Sequence, residues 1–150
     1  MGTPVGFSSF IVEIEDPATP GTFLAACGIT SKALNRSASA VETPDVDCDD
    51  EDLPAVILRG IASTDWNIAG AVTMHGEDMD LWDDWFEGIN GDTRNVRIAV
   101  DLPKAKGGRS YKGPAVLTGY NVKVDKGGKA ATGDMTITGA GKLVRTAAAA

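Results

Sequence analysis

Carboxylates are the densest chemistry in this chain: Asp45, Asp47, Asp49, Asp50, Glu51 and Asp52 fall within one short stretch. The spacing of Asp45, Asp47 and Asp49 matches the first, third and fifth places of an EF-hand loop, where oxygen atoms ligate calcium. The rest of that pattern fails, because Asp50 holds the place that needs Gly for a sharp turn and Val56 the place that needs a bidentate Glu. A solvated or interface loop is the better reading, and no metal is expected there.

Other candidates for chemistry are weaker. His75 would serve as a general base, but no serine lies in a Gly-x-Ser-x-Gly elbow, so no triad assembles around it. Gly139-Ala140-Gly141-Lys142 lacks the earlier Gly of a phosphate loop, and Leu143 stands where Ser or Thr would bind magnesium. Those glycines read as strand terminators. Cys27 and Cys48 are expected to be free thiols, and two Cys with a single His are too few for a structural zinc. Catalytic residues and cofactors are therefore not expected. Trp82, Trp85 and Phe86 would suit a stacking platform for sugars or bases, yet their helical spacing marks them as core.

The elements that must carry these residues follow from hydrophobic period. Phe10, Val12 and Ile14 alternate with Ile11, Glu13 and Glu15, which is the period of a half-buried strand. Residues 23–30 form a second apolar run, with residues 31–40 as its weak, exposed continuation. Residues 41–54 lose the period and read as the acidic loop. Residues 55–63 and 64–74 resume as strand, a long or bent pair around Gly60, with Trp66, Ile68, Val72 and Met74 on one side.

One segment changes to helical spacing. Met79, Trp82, Trp85, Phe86 and Ile89 recur three and four residues apart, with Asp80, Asp83, Asp84 and Glu87 opposite. This predicts a single substantial helix whose apolar side docks on a sheet. Val96, Ile98, Val100 and Leu102 then give the clearest strand, and a closing hairpin sets Tyr120, Val122 and Val124 on one side about a Gly127-Gly128 turn. Residues 144–150 are expected to be a flexible tail.

Composition agrees with a mainly β, α+β fold. The chain has 150 residues, 18 of them Gly, and suits one domain that buries roughly 70% of its unfolded surface. A net charge of −7 opposes binding to a nucleic-acid backbone, which needs clustered cations to displace counterions. No apolar run approaches a membrane span, so no membrane partner is expected, and without a signal-peptide pattern the chain reads as soluble and made in the cytoplasm.

The order of these features resembles the major tail tube protein of long, non-contractile-tailed bacteriophages and their gene-transfer-agent relatives. The matching parts are an N-terminal strand pair, the long acidic loop, "WNIAGAVTM", the acidic Trp-bearing helix, "NVRIAVDL" and the closing "GPAVLTGYNVKV" and "ATGDMTITGAGKL". Together they cover about residues 7–143.

The resemblance implies two packed antiparallel β-sheets with one flanking helix, in a single tail tube domain spanning residues 1–150. It also implies hexameric rings that stack into a tube, and a structural role in the virion after assembly in the bacterial host cytoplasm. Implied partners are further copies of the chain, a tape measure protein, and tail terminator and tail tip proteins. DNA would pass through the lumen without specific binding, since fixed carboxylates repel phosphates. The acidic loop would be an oligomer interface, reaching a neighbouring subunit or ring and setting Asp45, Asp47, Asp49 and Asp50 against Lys104, Lys106 and Arg109. The alternative from another class is a monomeric β-sandwich binding module for carbohydrate or calcium-dependent adhesion.

Overall fold

The computed structural model describes residues 4–148 apart from Cys27, and of Glu77 the backbone alone. Its strands are β1 (Phe10–Glu15), β2 (Phe23–Ala25), β3 (Ile29–Asp45), β4 (Val56–Thr73), β5 (Thr93–Val100), β6 (Arg109–Lys123), β7 (Thr132–Gly139) and β8 (Val144–Ala147). The helix α1 covers Gly76–Phe86. Hydrogen bonds join the strands into one eight-stranded sheet in the order β2-β1-β5-β6-β7-β4-β3, with β8 beside β6. Within the chain two compact units separate: Arg36–Trp66, and the remainder.

In the larger unit, register places the apolar residues on one face. Val12 stands opposite Ile98 and Ile14 opposite Val96, while Leu117, Ile137 and Ile68 align across β6, β7 and β4. All but Leu117 of these are at least 98% buried, and Leu117 is still within the core. On the reverse face of the same strands Arg97 grips Glu13 with two hydrogen bonds of 2.9 and 3.1 Å, and Asn95 donates to Glu15 at 3.1 Å. Alternation thus sorts apolar from charged residues on one pair of strands.

A bulge decides how the helix docks. Leu117 pairs with Ile137, but Gly119 pairs with Thr136, so Thr118 is an extra residue in β6. This shift returns Tyr120, opposite Met135, to the core face. There its ring lies 6.4 Å from those of Trp82 and Phe86. Without the extra residue Gly119 would face the helix and offer no ring.

Four expectations change. The fold is mainly β with one flanking helix as expected, but there is one sheet where two were expected, because hydrogen bonding runs without a break from β2 to β3 through the long β6. The helical period extends to Ile89, but α1 stops at Phe86, because Gly88, Asn90 and Gly91 all take positive φ and turn the chain out of the helix. The expected tail at residues 144–150 contains a strand: β7 reaches only to Ala115 of β6, and β8 pairs with the remaining edge at Arg109–Lys112. The acidic loop is shorter than residues 41–54, because β3 runs on to Asp45 and β4 starts at Val56.

Candidate assembly surface

The acidic residues sit at the end of a two-stranded arm built by the far half of β3 and the near half of β4. Both strands lack the burial alternation seen elsewhere, since the residues from Ser37 to Asp65 are exposed on both faces. Val41, Val46, Leu53, Val56, Ile57, Leu58 and Ile61 are all exposed, Ile61 by 66%. A lone two-stranded hairpin is marginally stable in water, and contiguous exposed apolar surface marks an interaction site. Across the arm Arg59 donates to Glu42 at 3.0 Å, in an exposed pair that adds little stability.

At the tip, side-chain oxygens form the turn. Asp47 accepts the amide of Asp49 at 2.9 Å, Asp50 accepts the amide of Asp52 at 3.2 Å, and the Asp50 carbonyl accepts the amide of Leu53 at 3.2 Å. These bonds to residues two positions on are Asx turns, which explains why Asp suits those places. Among the described residues no group of three or more His, Cys, Asp or Glu is arranged to hold a metal. Asp45 ends β3, and Cys48 is an exposed free thiol in the tip, while Cys27 lies outside the described residues.

The residues assigned to helix packing divide. Trp82 and Trp85 are almost fully buried, with ring centroids 6.5 Å apart, and Met79 is half-buried. Phe86 is 55% exposed, with its ring tilted by 49° against that of Tyr120, and Ile89 is 48% exposed beyond the helix end. Trp85 donates its indole N–H to the Asp92 carbonyl at 2.9 Å. The Tyr120 hydroxyl is pushed up to about 12, by burial first and then by the charge and acceptor oxygens of Asp83. No protein atom among the described residues makes a well-aligned hydrogen bond with it, so Asp83 acts mainly through charge.

Arg94 is a buried cation on the same face of β5 as Val96 and Ile98, where the alternation of the strand places it although its charge argues against it. It lies 5.8 Å over the Trp85 ring and donates weakly to the Ile89 carbonyl at 3.4 Å. Burial lowers its pKa, and Asp84 and Asp16 oppose that shift. His75 precedes α1 without capping it through its side chain, and its ring packs beside Gly28. Gly139 ends β7, and Ala140 donates to the Pro114 carbonyl at 2.8 Å, so the glycine-rich stretch terminates a strand.

A family model described as phage tail tube protein matches residues 4–145. A subunit from the tail of an empty gene transfer agent particle aligns over 95% of this chain and 98% of its own, with a TM-score of 0.74 at 17% identity. A tube structure of the SPP1 tail aligns over 98% of this chain and 81% of its own, with a TM-score of 0.67 at 10% identity. A chain from an extracellular contractile injection system sheath-tube complex aligns over 97% and 93%, with a TM-score of 0.65 at 15% identity. At these identities the likeness is one of fold. No curated protein sequence matches the chain.

Proposed function

The chain belongs to the phage tail tube protein family, and on that premise we propose that it closes into hexameric rings which stack into a tube for DNA passage. The family is structural, so the work of the fold is assembly. The carrying observation is the arm at Arg36–Trp66, where large apolar side chains stand in solvent on a hairpin with no core of its own. Such a segment is ordered at low cost only when a partner covers it.

Further support comes from the sheet's ends. β3 lies last in the strand order, so among the described residues no further strand covers its outer edge, and pairing with a neighbouring copy would remove the aggregation hazard of such an edge. The gene transfer agent tail was computed with C6 symmetry, which favours six copies in the ring. Structures of a sheath/tube terminator and a tube terminating cap are also similar in fold, in keeping with terminator-type partners at the tube ends. A net charge of −7 suits a channel that DNA crosses without adhering. Assembly would take place in the host cytoplasm, before incorporation into the virion.

Negative-stain microscopy with sedimentation across a concentration series tests this reading. Rings and tubes with subunit interfaces well above roughly 1,000 Å² are expected. A monomer at millimolar concentration in every salt would refute it.

A further inference from the structure

The apolar face of the larger unit is open at one end. Phe10 lies two residues before buried Val12 on β1, Val100 two residues after buried Ile98 on β5, and Tyr111 stands opposite Ile98, so alternation turns all three to the core side. None of the three is fully buried. With Phe7 and Leu34 they line a hollow of about 500 Å³. Apolar cavities of roughly 300 to 1,000 Å³ are the usual size for small-molecule sites.

One cation enters this hollow. Lys32, two residues before Leu34 on β3, donates from Nζ to the Phe10 carbonyl at 2.6 Å and to the Phe7 carbonyl at 3.2 Å, and its ammonium lies 4.0 Å from the centre of the Phe7 ring. An ammonium carries three N–H donors, so one remains for a ligand. Ion pairs among the described residues are Arg59 with Glu42, Arg97 with Glu13 and Lys123 with Asp125, and none gives Lys32 a carboxylate. Burial holds its pKa below the ordinary 10.5. Apolar walls that converge on one uncompensated charge suit an apolar molecule with one acidic group.

Hydrogen bonding selects among such molecules. A peptide segment entering here would bring amides and carbonyls that need partners. The walls offer few, because Phe10, Val100 and Tyr111 belong to paired strands, the Phe7 and Phe10 carbonyls are taken by Lys32, and the Gly6 carbonyl accepts the amide of Ser9. An alkyl chain makes no such demand. We propose that the hollow beside Lys32 binds a free medium-chain carboxylate, with its head group on the ammonium and its alkyl chain against Phe10, Leu34, Val100 and Tyr111. The charge-assisted bond orients the molecule, and burial of the chain supplies affinity. The site belongs to the single subunit and does not depend on assembly.

The test titrates octanoate, octanol and octylamine into the full-length protein near neutral pH, with calorimetry and amide NMR as readouts. Octanoate should bind saturably, one per chain, and shift the amides of residues 5–10, 32–34, 100 and 111. Octanol and octylamine should bind at least about tenfold more weakly, the worth of one charge-assisted hydrogen bond. Lys32→Met should remove the preference for octanoate over octanol, and Leu34→Asp, which supplies the counter-charge from within, should abolish octanoate binding. If either variant fails to fold, the wild-type ranking of the three probes decides. Equal affinity for octanoate and octanol, binding that never saturates, or shifts confined to the exposed arm at Arg36–Trp66 would overturn the site. An acetylated Leu-Asp dipeptide that binds more tightly than octanoate would overturn it too, and would assign the hollow to a protein segment.

Discussion

The larger unit and the arm obey the same strand chemistry but put their apolar residues to opposite use. In the larger unit Val12, Ile14, Val96, Ile98, Met135 and Ile137 share one buried face, and Trp82 and Trp85 lie in the same core. In the arm, Val56, Ile57, Leu58 and Ile61 are consecutive or nearly so, exposed, and without an opposite polar face. Burial inside a subunit yields folding stability; apolar surface left in solvent yields association when a partner arrives. On the proposed assembly reading, the difference separates the residues that make a subunit from those that would make a tube.

Substitutions in the packed region should break the subunit first. Trp82→Ala or Trp85→Ala should cost about 3 to 5 kcal/mol in chemical denaturation, Trp85 through its bond to Asp92 as well as its volume. Stability near that of the wild type in both would mean that the helix does not rest on these rings. Gly133→Ala comes next, at about 1 to 3 kcal/mol, because the new methyl group meets the Asn121 carbonyl in the neighbouring strand. A neutral result would show that β6 and β7 give way locally.

Tyr120 sharpens the comparison through pH. Its hydroxyl titrates at about 12 in the folded state against 10.0 ordinarily, so the protonated form is favoured by folding. The resulting stability is intact below pH 10 and is lost as pH rises from there to about 12. Alkaline denaturation should show that slope, and Tyr120→Phe should remove it. An unchanged slope would place its source elsewhere.

The arm should give the smallest effects on folding and the largest on assembly. Ile57→Ser with Ile61→Ser should shift subunit stability by no more than about 0.5 kcal/mol per site, yet abolish tubes in the microscope. Glu42→Gln should change stability by less than about 1 kcal/mol, since its partner Arg59 is solvated. A strong loss of folding from any of these would show that the arm is packed within the subunit.

Legibility in sequence follows the same division. The alternation of Val96, Ile98 and Val100 and the three- and four-residue spacing of Trp82 and Trp85 announce their elements because one face is buried. The outer parts of β3 and β4 carry no such signal: when both faces are exposed, burial imposes no period, and residues 41–45 read as loop. Val144–Ala147 is hidden for another reason, because its place depends on the free edge that β7 leaves beside Arg109–Lys112. Arg145 comes beside Lys104 and Arg109 only through that pairing. Ile89 fits the helical period, yet the positive φ of Asn90 and its neighbouring glycines ends the helix before it. Tyr120 falls on the core side only because of the bulge at Thr118.

Hydrogen exchange on the subunit and on assembled tubes, followed by peptide-resolved mass spectrometry, tests most directly whether the arm serves association. Peptides from residues 36–66 should exchange rapidly in the subunit and become protected in the tube, while those of β5 and β7 stay protected in both. Equal protection of the arm in the two states, or tubes in which the arm still exchanges freely, would contradict the account.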